Sequence, residues 1–186
     1  MFRPQIARRA RASLSAAAAV AVLAAAAVGL GAATASAEVA DATCAGTVAS
    51  TFDPALRAFT QSTAGSDTTL LAACTSLSDP TIRSGRTAVS YSASMSCVAP
   101  LNGGTVSETI AWSNGATSTF ESTATSTTVA GESVSTQLGS IVAGQFSGDT
   151  AVKVTRTPTL DLLSCLLGPG ISSRQGVATL AITSVP

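Results

Sequence analysis

Residues 89–97 read Val-Ser-Tyr-Ser-Ala-Ser-Met-Ser-Cys. An extended chain sends successive side chains to opposite faces. Val89, Tyr91, Ala93, Met95 and Cys97 therefore share one side, and Ser90, Ser92, Ser94 and Ser96 share the other. The alternation predicts a half-buried β-strand with a wet hydroxyl face and a dry face that ends in a disulfide-capable cysteine.

The pattern extends along the chain. Strands are predicted at 43–52, 68–74, 87–97, 105–112, 117–128, 133–142, 150–157 and 176–183, all rich in Thr and Val, whose branched side chains suit a pleated surface. Turn residues separate them. Asn114-Gly115 after Trp112 is the clearest, because this dipeptide tolerates the positive φ angles of a tight hairpin. Ala130-Gly131, Ser147-Gly148-Asp149 and Asp79-Pro80 mark others. With no long helical pattern between strands, the expected fold is all-β, an antiparallel Ig-like β-sandwich. One segment near 158–167 reads either as a short helix, capped by Thr157 with Pro158 at its first position, or as an irregular apolar loop. In both readings Leu160, Leu162, Leu163, Leu166 and Leu167 should plug a core edge near Cys165.

Residues 1–37 are expected to form a removable signal peptide. Arg3, Arg8, Arg9 and Arg11 supply a basic start, an Ala-rich stretch follows, and Ala35-Ser36-Ala37 gives an A-x-A cleavage pattern. The expected localisation is therefore secreted and extracellular, with one domain at 38–186 and no membrane attachment after the signal is removed. That domain keeps six basic residues against ten acidic ones, a net charge of −4, and has no basic patch to neutralise phosphates, which argues against nucleic acid.

The four cysteines, Cys44, Cys74, Cys97 and Cys165, are all in this domain. An even number in an exported chain reads as two disulfides. Three connectivities are possible; the expected one is Cys44–Cys74 with Cys97–Cys165, each closing a long loop worth ~3–4 kcal/mol. A shorter signal is an internal repeat. Ser84-Gly85-Arg86-Thr87-Ala88-Val89 recurs as Ser147-Gly148-Asp149-Thr150-Ala151-Val152, and each copy leads to a Ser-Cys pair. It reads either as a duplicated hairpin or as chance in a Ser/Thr/Ala/Gly-rich chain.

Several segments carry a likeness to known sequences. They are Thr43-Cys44-Ala45-Gly46-Thr47, Phe52-Asp53-Pro54-Ala55-Leu56, Trp112-Ser113-Asn114-Gly115, Ala143-Gly144-Gln145-Phe146-Ser147-Gly148-Asp149 and Leu160-Asp161-Leu162-Leu163-Ser164-Cys165. On these the chain resembles small secreted actinomycete (Streptomyces-type) β-rich proteins of unassigned function. The resemblance implies a secreted β-rich protein and supplies no activity.

The chain has no histidine, which removes Ser-His and Cys-His nucleophilic catalysis and the usual zinc sites. Lys153 is the sole lysine and reads as a solvated strand-face charge. Glu108 and Glu121, brought towards each other by the Asn114-Gly115 hairpin, are the candidate glycosidase pair, but sugar-stacking aromatics are scarce and solvated edge charges are the preferred reading. Asp149 and Asp161 lack the dense ligand run of a calcium loop. No catalytic residue, metal or cofactor is expected, and the protein is not expected to be an enzyme. Trp112 and Asn114 are the candidate contact residues, although alternation puts Trp112 on the face of Val106 and Ile110, where it would pack in the core.

Three functions fit. The first is an interaction or structural role with an extracellular or cell-wall partner. The second is a small-molecule carrier: the composition is similar to that of the secreted enediyne-binding apoproteins of actinomycetes, which are acidic, Ig-like and doubly disulfide-bonded, although the cysteine spacing departs from theirs. A deep apolar cleft would favour this reading, and a filled sandwich would remove it. The third is protease inhibition through Met95-Ser96-Cys97-Val98-Ala99-Pro100, which superficially looks like the disulfide-braced loop of subtilisin inhibitors.

Overall fold

Eight strands and one short helix run in the order β1 (Ala40–Leu56), β2 (Gln61–Ser76), β3 (Gly85–Met95), β4 (Thr105–Trp112), β5 (Thr117–Val129), β6 (Glu132–Gly144), β7 (Thr150–Pro158), α1 (Leu162–Leu166) and β8 (Ile171–Thr183). The structure is a computed structural model and describes residues 40–98, 103–159 and 162–185. The expected signal peptide at 1–37 lies outside the described residues, as do Ala99, Pro100, Leu160 and Asp161.

Every strand pairs antiparallel with its neighbour in sequence, and β1 pairs with β8, so the sheet closes into one barrel. Cys44 lies opposite Leu180, Thr47 opposite Val177 and Ser50 opposite Arg174 in the closing ladder. This corrects the expected Ig-like sandwich. A sandwich needs connections that cross between two sheets, whereas here each link is a local return and the first and last strands complete the wall. Curvature comes from the strands themselves. The register shifts between Ala45 and Thr47 and between Thr119 and Phe120, and such bulges bend and twist a strand. Gly46 and Gly139 permit tight coiling: a Cβ at either would collide with the backbone of the next strand, at Leu70 and Glu121.

The interior is divided. At one end Leu71, Ile82, Ile110, Trp112, Phe120, Ile141, Phe146, Leu180 and Ile182 form a dry core around the Cys44–Cys74 disulfide. Each large side chain there contributes about 1.5–3 kcal/mol by leaving water. Trp112 and Phe146 meet edge to face at 5.6 Å between ring centroids. At the other end a smaller cluster of Phe52, Leu56, Met95, Cys165 and Ile171 surrounds the Cys97–Cys165 disulfide. Both bridges are those expected from the sequence.

The alternation of 89–95 is in place: Ser90, Ser92 and Ser94 are exposed, and Met95 is buried. Ser96 departs from it, being buried just past the end of β3. The leucine plug is corrected. α1 is shorter than the expected helix, Thr157 and Pro158 belong to β7, and Leu163, Leu166 and Leu167 are exposed while Cys165 is buried. The disulfide fixes this helix with its cysteine inward, and one turn cannot bury its other sides as well. The duplication reading also fails on register. Ala88 of the first copy is exposed, whereas the matching Ala151 is buried. Equivalent residues of the two copies therefore face opposite sides of the wall, which a duplicated unit would not do.

The two bridges restrain different things. Cys44 and Cys74 are directly opposed in the β1–β2 ladder, whereas Cys97 and Cys165, 68 residues apart, tie a strand end to a helix. Cys97 N–H also donates to the Arg57 carbonyl, and the Arg57 side chain donates to the Gly168 carbonyl, both at 2.9 Å. Replacing Cys97 and Cys165 together by Ser is expected to cost about 2–5 kcal/mol in urea unfolding. Hydrogen exchange should rise first at 57–59 and 163–170 and leave the Trp112 end protected; uniform loss of protection would contradict this division.

Candidate functional site

The barrel narrows the choice of site to its interior. Short, mostly hydroxyl side chains face inward above the dry core, and the space they leave is a cavity of about 800 Å³. This lies within the range of small-molecule sites. The register orders its walls. Val48, Thr69 and Thr87 are opposed in adjacent strands low in the cavity, and Phe52, Gly65 and Tyr91 are opposed higher up. Ser126, Ser133, Ser135, Thr155 and Thr157 line the cavity from β5 to β7. The ladder between β3 and β4 has only two pairs, Gly85 with Trp112 and Arg86 with Ala111. Beyond these the strands splay, and outward residues such as Ser90, Ser92 and Ser107 border the cavity at the seam.

Glu108 and Lys153 cross the floor. Both are buried, and the Lys153 ammonium donates to both Glu108 oxygens, at 2.5 and 2.7 Å. This corrects the reading of Lys153 as a solvated charge. Alternation along β7 turns Ala151 and Lys153 inward together, and an amine inside a barrel requires a carboxylate partner. Glu121 sits on the other face: Glu108 opposes Phe120, Glu121 opposes Ser107 and is exposed. The two glutamates do not form a pair.

Higher up, Tyr91 donates to Asp67 Oδ1 at 3.4 Å, and its ring lies where a Cβ on Gly65 would be. Burial, and then the Asp67 charge, push the Tyr91 hydroxyl up from 10.0 to about 12. It therefore keeps its proton and acts as a donor. Arg174 reaches in from β8, with its guanidinium carbon 5.3 Å from the centroid of the Phe52 ring. Its Nε is buried without a hydrogen-bond partner, and so is Oε1 of Gln137 in the β6 wall.

The expected contact residues are elsewhere. Trp112 is buried in the dry core and donates through Nε1 to Ser118 Oγ at 2.8 Å, and the Ser118 hydroxyl in turn donates to the Gln145 carbonyl at 2.6 Å. Asn114 is a latch. Its amide donates to Asp79 Oδ2 and its oxygen accepts from the Ala116 N–H, each at 2.9 Å. Contacts with Thr81, and to a smaller degree Asn114, hold the Asp79 carboxyl below its ordinary value. Asp149 is pushed up by burial and by Asp41. Among the described residues no three His, Cys, Asp or Glu side chains are grouped to hold a metal. Of the 95–100 segment, Met95 and Ser96 are buried at 3% and 6% exposure and Val98 is exposed, while Ala99 and Pro100 lie outside the described residues.

The cavity residues left few marks in the sequence. Arg174 precedes the predicted strand at 176–183, and Asp67 precedes the one at 68–74. The available signal was the period-two placement of Thr63, Gly65, Asp67 and Thr69, which lacks apolar members. No family model, curated protein or solved structure matches the chain.

Two outcomes follow from this geometry. Removing one member of the floor pair strands the other: Lys153→Met should cost about 3–5 kcal/mol in urea unfolding, and Lys153→Met with Glu108→Leu considerably less. Equal losses in the single and double variants would contradict a coupled pair. Tyr91 is the sole tyrosine, so absorbance near 295 nm reports it alone. Its midpoint should lie near 12 in the folded protein and near 10 in urea, and Asp67→Asn should lower the folded value. Because the folded value is the higher one, this contribution to stability is complete below pH 10 and is lost as pH rises through 12. A folded midpoint at 10 would contradict the burial of the ring.

Proposed function

We propose that the protein is a non-enzymatic carrier that binds a small organic molecule inside the barrel and works outside the cell. The observation that carries the reading is the cavity: one end of the interior is packed solid, and the other is left open and lined with anchored polar groups. Side chains fill the interior of many small barrels of this strand number; others hold one small ligand. Glu108 and Lys153 are committed to each other, and Tyr91 holds its proton and donates to Asp67, so these groups serve as hydrogen-bonded lining.

Export rests on the basic, Ala-rich start with its A-x-A pattern, on the two disulfides, and on the resemblance to secreted actinomycete proteins. Among the described residues no helix is long and apolar enough to cross a membrane. The outer faces of β3 and β5 present Ser90, Ser92, Ser94, Thr123, Thr125 and Thr127 rather than the apolar band and aromatic girdles of a membrane barrel. A second reading, contact with a cell-envelope partner, is favoured by the exposed Phe59, Val98, Leu163, Leu166 and Leu167, all on or beside loops stitched together near Cys97–Cys165.

N-Phenyl-1-naphthylamine, an uncharged dye that brightens in apolar sites, tests the carrier reading. Saturable one-to-one binding is expected. It should be lost in Val89→Trp and in Ser135→Trp, which fill the cavity from different walls, while both variants keep the wild-type circular dichroism spectrum. Binding that survives both substitutions would place the dye on the outer surface and overturn the reading.

A further inference from the structure

Five ionisable side chains line the cavity: Asp67, Tyr91, Glu108, Lys153 and Arg174. Four are engaged with one another. Lys153 donates both of its short bonds to Glu108, and Tyr91 donates to Asp67. Arg174 is the remainder. Among the described residues the Lys153–Glu108 pair is the one ion pair, so no described carboxylate lies within 4 Å of the guanidinium. The Nε–H is buried and has no acceptor. A buried donor without a partner is unfavourable, the more so when it belongs to a charged group.

The position of Arg174 is built. β8 turns Arg174, Gly176, Ala178, Leu180 and Ile182 to the interior by alternation, and the β1 ladder sets Arg174 opposite Ser50. The guanidinium lies over Phe52, which holds its plane while leaving its edge for a ligand. The same cavity has apolar lining at Val48, Val89 and Met95, and Val89 stands in the ladder row that runs from Arg174 through Ser50 and Asp67. A planar fork with free N–H groups matches a carboxylate or sulfonate oxygen pair, which an ammonium does not.

Resting on the carrier reading, we infer that the ligand is an amphiphilic organic acid, with its acidic head on the Arg174 fork and an apolar body against Phe52, Val89 and Met95. Asp67 faces the same space, but one of its oxygens already accepts from Tyr91. It stands on the wall that a ligand hydroxyl would reach, and Gln137 Oε1 offers a second acceptor on β6. The class selected is thus a hydroxylated acid rather than a bare fatty chain. The head group is set by Arg174 and the body by the apolar wall.

The test pairs two dyes that share a ring system. 8-Anilinonaphthalene-1-sulfonate carries the acid, and N-phenyl-1-naphthylamine lacks it. The wild-type protein should bind the sulfonate at least tenfold more tightly than the neutral dye. Arg174→Met keeps an apolar stem over Phe52 and removes the fork. It should abolish that preference while changing neutral-dye affinity less than twofold. Arg86→Met, an exposed outer-wall arginine, should leave both affinities unchanged and so reports general charge effects. Neutral-dye binding without a sulfonate preference, or a preference that survives Arg174→Met or falls equally in Arg86→Met, overturns the inference and leaves the carrier reading standing. Failure of the wild-type protein to bind either dye overturns both.

Discussion

Closure of the sheet by the β1–β8 ladder is the constraint from which the rest follows. Once the first and last strands pair, the wall has no free edge there, and inward and outward faces are assigned to every residue of period-two sequence. The interior must then be either packed or wet. This chain does both, with the division running across the barrel. Trp112, Phe120, Phe146 and their aliphatic neighbours fill one end. Serine, threonine and a few charged groups line the other, where their small volume leaves space.

Each end has its own restraint. The Cys44–Cys74 bridge reinforces two strands already in register, inside the dry core. The Cys97–Cys165 bridge holds together parts that no ladder joins, at the end where the cavity lies. Between the two, the Glu108–Lys153 pair occupies the level at which apolar packing gives way to polar lining. Such a pair contributes little net stability against an apolar substitute, but it fixes which side chains meet, and so the floor of the cavity. The splayed β3–β4 seam is the weak part of the wall. It lies next to Tyr91 and Val89, so the site and the least-paired stretch of backbone coincide.

Much of the wall was legible from the sequence, because β-branched residues alternating with small polar ones leave little choice of local structure. All eight strands were located, and 105–112 was bounded correctly, since Ile110 and Trp112 lie in the dry core and give a sharp apolar period. The early part of β2, Gln61–Asp67, and the early part of β8, Ile171–Gln175, were not found. In β2 the inward face is Thr63, Gly65 and Asp67, which carries no apolar signal; in β8 the missed stretch has one buried apolar residue, Ile171, separated from the inward Arg174 by exposed Ser172 and Ser173, so no period-two apolar pattern forms. The residues that make the site are thus those that hide its strands. Closure was not legible at all, because it depends on pairing between residues more than a hundred positions apart, and each strand would read the same in a sandwich. Lys153 was misread for a related reason: one charge among small neighbours looks solvated until the partner from β4 is seen.

The most direct measurement is of cross-strand nuclear Overhauser effects between β1 and β8 in the oxidised protein. A closed barrel gives backbone contacts linking Cys44 with Leu180, Thr47 with Val177 and Ser50 with Arg174, alongside those of the seven hairpin ladders. A sandwich, or an open sheet, leaves residues 40–56 paired on the β2 side only, and absence of the β1–β8 contacts would contradict both the closed wall and the cavity it encloses.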